Sequence, residues 1–220
     1  MIIAPSLLPP AAVLWLGLLQ LAILGVCIWR APWRDLISVP RRQHLLFGAL
    51  IAMTLLWQVS GRIAPQVHLH LLGITSVTLM LGLPLTILVG SAACAIDALI
   101  VHRDWALIGA NALFNATVPA LVSAAVLTAI LRYGPRNLFA YMLGAGFGGG
   151  ALSMLAVMLV MLVIFALTGQ TRAFDDWASA LLLLAMFPEG FINGAVVSSL
   201  AVYKPHWLRS YDDHYFLDGV

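Results

Sequence analysis

Apolar runs long enough to cross a lipid bilayer follow one another along this chain, with breaks of only a few residues between them. A bilayer core about 30 Å thick is crossed by roughly 20 apolar residues in helical form. Such runs fall near residues 11 to 29, 43 to 60, 66 to 81, 83 to 102, 105 to 131, 137 to 168 and 176 to 203. The pattern predicts an all-α, polytopic membrane protein with about seven transmembrane helices. Composition closes off a soluble fold: 62% of the 220 residues are hydrophobic and 9% charged, whereas a soluble domain carries about 25% charged residues. No interval between runs could house a separate soluble module. Residues 1–220 therefore read as a single transmembrane domain with a short cytoplasmic tail near 204–220.

The third and fourth runs are separated only by Gly82-Leu83-Pro84, a helix-breaking turn that leaves open two short helices or one kinked unit. With seven spans, the loops after the first, third and fifth helices share a side with the C-terminus. That side holds Arg30, Arg34, Arg41, Arg42, Arg132, Arg136, Lys204 and Arg209, against Arg62, Arg103 and Arg172 on the other. Lys and Arg favour cytoplasmic loops, so the N-terminus is expected outside and the C-terminus in the cytoplasm. Trp33, Trp105, Trp177 and Trp207 fall near expected span ends, at headgroup level. The start, Met1-Ile2-Ile3-Ala4-Pro5, has no positively charged leader, so the first run is expected to remain as a helix.

Other function classes drop out. A formal charge of +2 with no basic patch interleaved with aromatics does not suit a nucleic-acid reader. There is no His-Glu-x-x-His helix and no Gly-x-Ser-x-Gly elbow, and the glycine-rich stretch at 144–150 lacks the lysine of a phosphate cradle, so no enzyme is expected. Those glycines are read as points of close helix approach rather than a hinge. Cys27 and Cys94, inside apolar segments, read as small buried hydrophobes. Met154, Met158 and Met161 form one stripe, read as packing rather than as ligands for cuprous ion.

Function is sought in polar side chains at membrane depth, where an acid near a helix centre costs about 2.5–3.5 kcal/mol and needs a partner or a purpose. Glu189, the one glutamate in the chain, lies mid-way along the last run, with Asn193 one turn on and on the same face. Asn111 and Asn115 form a second pair of this spacing in the fifth run. Asp97 lies in the fourth run, with a salt link to a basic group as one reading and its role open. His68 and His70 open the third run just after Pro65. Residues two apart point to different faces of a helix, so both reach one ion only if this segment is partly extended. Imidazole with amide or carboxylate suits a divalent transition ion such as nickel, cobalt, zinc or copper. His206, His214, Asp212 and Asp213 read as a solvated charged end.

Three segments, in order, carry a family resemblance: His70-Leu71-Leu72-Gly73 followed by Gly82-Leu83-Pro84; Gly109-Ala110-Asn111 with Asn115; and Glu189 to Gly194 followed by Lys204-Pro205. Together they resemble the CbiM/NikM family, membrane substrate-capture components of cobalt and nickel energy-coupling-factor transporters. The resemblance implies a seven-helix subunit of the bacterial inner membrane that takes up a divalent transition metal, bound near the outer surface as substrate. It also implies a scaffold membrane subunit and cytoplasmic ATPases as partners. His70 matches the family's imidazole ligand, and Asn111, Asn115 and Glu189 match residues near or supporting the site. His68 has no counterpart. The chain lacks the family's opening Met-His-Ile, carrying Ile2 instead, has Arg103-Asp104-Trp105 near the place of its Asp-Gly-Gly, and has Leu182 and its neighbours where a histidine precedes the closing glutamate. The alternative is a scaffold or partner subunit that keeps the fold and has lost the metal site.

Overall fold

The computed structural model describes residues 2–3, 7–64, 67–101, 105–169 and 176–216. Pro65, His102, Arg103, Asp104 and Arg172 lie outside the described residues, as do the side chains of Ile2, Arg62, Trp177 and Leu182.

Helices α1 (Pro10–Arg30), α2 (Trp33–Ser38), α3 (Pro40–Gln58), α4 (Ile74–Leu81) and α5 (Leu83–Ile100) are followed by α6 (Trp105–Tyr133), α7 (Ala140–Leu167) and α8 (Asp176–Tyr203). Proline opens α1, α3 and α5, where its fixed φ suits the first turn and its missing N–H is not needed. Among the described residues five stretches are long and apolar enough to cross a membrane: α1, α5, α6, α7 and Leu183–Tyr203 of α8. Their outward faces carry Leu14, Trp15, Leu21, Leu121, Leu159 and Phe191 exposed, the surface expected where lipid is the solvent.

One expectation is corrected, and one helix begins earlier than its run. The run at 66–81 is not a spanning helix. Its second half is α4, eight residues and hence about 12 Å long, and its first half is a strand, β3 (Val67–His70). The interruption is Gly73, whose φ of 68° is a left-handed conformation no helix continues through. The run at 43–60 begins earlier, at Pro40, and is not among the five spanning stretches, its first turn being Arg41, Arg42, Gln43 and His44.

The fold is also not purely helical. Strands β1 (Ile2–Ile3), β2 (Ser60–Ala64) and β3 form one antiparallel sheet in the order β1-β3-β2. The histidine strand is central. Ile2 pairs with His68 on one side, while Arg62 pairs with His68 and Ser60 with His70 on the other.

Helix α4 is the axis of the bundle: all its residues but Met80 are buried. Below its N-terminus Thr75 meets Ser123 of α6 at 2.7 Å, Ser123 meets Ser153 of α7 at 3.0 Å, and both serines donate to the Pro119 carbonyl. Three helices are thus tied by a hydroxyl cluster that converges on the Pro119 carbonyl in a dry interior. Helices α7 and α8 touch backbone to backbone. A methyl group at Gly150 would stand 3.0 Å from the Glu189 carbonyl oxygen, and one at Gly190 only 2.8 Å from that of Phe147. The expected close helix approach at the glycines is therefore observed, in two facing Gly-x-x-x-Gly stretches, Gly146 to Gly150 and Gly190 to Gly194. Met154, Met158 and Met161 are core residues, and Cys27 and Cys94 are buried free thiols.

Candidate metal site

Strand β3 runs into the core with His70 at its end. Side chains at alternate positions of a strand share a face, so the condition set by the sequence for His68 and His70 to address one ion is met. His70 is buried at 3% exposure, His68 half-buried. The His70 ring lies against Trp57, centroids 5.2 Å apart, and its Nδ1 is 2.9 Å from the Leu71 carbonyl oxygen. When Nδ1 carries the proton it donates to that oxygen, and Nε2 then holds the lone pair, the tautomer a metal-binding imidazole uses. Trp57 also donates its indole N–H to the Leu72 carbonyl at 3.1 Å. One aromatic residue therefore braces both the ring and the backbone that bears it.

The segment from Leu71 to Gly73 is irregular backbone deep in an apolar bundle, where each amide left without an acceptor costs several kcal/mol. Glu189 supplies the acceptors. Its Oε2 receives the Leu72 N–H at 2.6 Å and its Oε1 the Gly73 N–H at 2.9 Å. Asn193, one turn along α8, donates to the same Oε1 at 2.6 Å, and its own Oδ1 receives the Ser76 N–H and hydroxyl at 2.8 Å each. Two side chains of α8 therefore cap the first turn of α4, a task normally done by a local serine or aspartate. Tight packing of α7 on α8 through glycine aims both inward, where they are 1% and 0% exposed.

Asn193 and Glu189 thus face a single partner, as their spacing suggested, and that partner is the chain segment following His70. Asp97 accepts from Gln58 at 2.9 Å, tying α5 to the last residue of α3, next to Trp57. Asn115 donates to the carbonyl of Asn111 at 2.9 Å, inside a widened helical stretch at Leu113–Thr117. Among the described residues no group of three or more His, Cys, Asp or Glu side chains converges as a ligand set.

Sequence reasoning missed Trp57, Gln58, Ser76 and the two backbone amides. It also missed Gln20, which donates to Ser91 at 3.0 Å and accepts from Thr117 at 2.8 Å, anchoring the otherwise lipid-facing α1 to α5 and α6. A tryptophan three residues from the end of an apolar run reads as an interface anchor. Gln20, a lone amide in the first apolar run, was the signal available for that anchor.

Comparison with known proteins agrees with this architecture. A truncated transition metal transporter of known crystal structure is 16% identical, superposes with a TM-score of 0.73, and is matched over 94% of this chain and 99% of that one. A second transition metal transporter structure is 15% identical with a TM-score of 0.74, over 94% and 93%. At these identities the likeness is one of fold. No curated protein matches the sequence. The family model described as the cobalt uptake substrate-specific transmembrane region matches residues 3–207. The chain therefore belongs to the CbiM family, and is a multi-pass transmembrane protein of transition-metal uptake.

Proposed function

We propose that this protein captures a divalent transition-metal ion, of nickel or cobalt type, for uptake across the bacterial inner membrane, with His70 and His68 as its ligands. The observation that carries the reading is the extended β3, which sets two imidazoles on one face at the end of the bundle where β1 joins the sheet. His68 stands directly across the ladder from Ile2, and directly opposed residues have Cβ atoms about 4.5–5.5 Å apart. The donor set is nitrogen-rich, which suits nickel or cobalt; zinc and copper accept the same imidazoles.

Glu189 and Asn193 support the site by holding Leu72, Gly73 and Ser76, and Asp97 supports it through Gln58. Asn111 and Asn115 shape the neighbouring helix at its widened turn. The chain crosses the membrane seven times, the third time as β3, a short loop and α4, with the N-terminus outside and the C-terminus cytoplasmic. A scaffold membrane subunit and cytoplasmic ATPases complete the transporter.

Calorimetric titration of the purified protein with nickel and cobalt tests this. Binding by the native chain that is lost in His70→Ala and weakened at least tenfold in His68→Ala is expected, by analogy with the 10–100-fold cost of disturbing a metal site's surroundings. Binding unchanged in His70→Ala refutes the ligand assignment. The second reading, a partner subunit without a metal site, draws on the absence of a three-ligand cluster among the described residues. It predicts no binding heat with either metal.

A further inference from the structure

A groove of about 520 Å³ lies between α3, α4 and α8, on the side of α4 that faces α3. Its walls are hydrocarbon, among them Ala52, Leu56 and Val196, and its floor is formed by Gly73, Ser76, Val77 and Met80 of α4 and the turn before it. The one hydroxyl in it, that of Ser76, is committed to Asn193. At one end stand Arg41, His44 and Trp207. From Arg41 to Leu56 the groove follows α3 for about 22 Å at 1.5 Å per residue, longer than one leaflet's share of a hydrocarbon core about 30 Å thick.

Charge is confined to that one end. Arg42 is engaged by Asp35 at 3.1 Å, while Arg41 has no acidic partner among the described residues. Both Arg41 and His44 are exposed in the first turn or so of α3, where the helix dipole adds positive potential. A long apolar slot bordered at one end by the Arg41 guanidinium, the His44 imidazole and a tryptophan complements a molecule with a hydrocarbon chain and an anionic head. Basic pockets between helices bind lipid headgroups in this manner.

We propose that the groove is a binding site for one anionic phospholipid, its acyl chain lying along α3 over α4 and its phosphate at Arg41 and His44. A lipid seated there braces Gly73 and Met80, and so the helix that follows the histidine strand. A helix of another protein in the same groove would have to bring an acidic end and an apolar face, and the experiment separates the two.

Native mass spectrometry of the full chain in detergent, with phosphatidylglycerol or phosphatidylcholine added, reads the preference. Phosphatidylglycerol is expected to be retained over phosphatidylcholine, with the preference falling roughly fivefold when the one permanent charge is removed in Arg41→Ala. Ala52→Trp, which fills the slot, is expected to lose both adducts. Equal retention of the two lipids, or a preference untouched by Arg41→Ala, overturns the proposal. A photo-crosslinker at position 52 of the otherwise native chain, in cell membranes, stands independent of how the variants fold: a phospholipid adduct supports the assignment and a polypeptide adduct replaces it with a protein-docking surface.

Discussion

Glu189 takes three hydrogen bonds on two oxygens, and every partner is a donor. Glutamine would keep the shape and turn one of those oxygens into an N–H₂ group facing an N–H. Glu189→Gln is therefore expected to destabilise the protein by about 1.5–3 kcal/mol, the range for a buried bond to a charged group, read as a lower thermal midpoint in detergent. An unchanged midpoint would mean that the Leu72 and Gly73 amides find acceptors elsewhere. Gly73 makes the companion case. Alanine there meets both a φ of 68° and the Leu56 Cδ2 at 3.0 Å, and the left-handed backbone alone costs about 1–2 kcal/mol. Gly73→Ala is expected to lower stability by at least that amount and to weaken metal binding, because the misplaced residue follows His70 by three.

Among the elements, α4 is held from both ends by distant parts of the chain. Its first turn is capped from α8. Near its last, the Leu79 carbonyl receives the backbone N–H and the hydroxyl of Ser210, at 3.2 and 2.9 Å, and that hydroxyl meets Tyr141 of α7 at 2.7 Å. The tail beyond α8 is thus a cap on the bundle's axis, sealed by Tyr211 stacked on Phe216 at 5.3 Å. Desolvation, with Asp213 and Asp212 beside it, pushes the Tyr211 phenol from 10.0 up to about 12. An acid whose pKa rises on folding favours the folded state while protonated. That contribution is complete below about pH 10 and is lost as pH climbs through about 12. Protease access to the tail should accordingly appear over that window. Tyr211→Phe, which has no phenol to ionise, should shift the onset upward, and an identical onset in both proteins would show that another group controls docking.

For the whole molecule, the bundle depends on α7 and α8 lying close enough for Glu189 and Asn193 to face α4. Gly190→Leu places a side chain where a methyl already comes 2.8 Å from the Phe147 carbonyl oxygen. The helices must part, and both metal binding and the thermal midpoint are expected to fall together. Binding retained with the midpoint lowered would show that the histidine strand is positioned independently of α8.

Bilayer-crossing helices were legible in the chain because hydrophobicity is a property of consecutive residues and the bilayer thickness sets their number. The spacing of Glu189 and Asn193 likewise fixed a shared face, and His68 and His70 could be singled out as imidazoles at the mouth of an apolar run. The run at 66–81 misled for the same reason: it is apolar because it is buried in the bundle's centre, and burial in protein and burial in lipid select the same residues. Only the tertiary structure decided that this run is a strand and a short helix, that β1 lies beside it, and that Glu189 serves amides 116 and 117 positions away. A hydrogen bond is made between groups brought together by packing, and nothing local in either segment records where its partner will be.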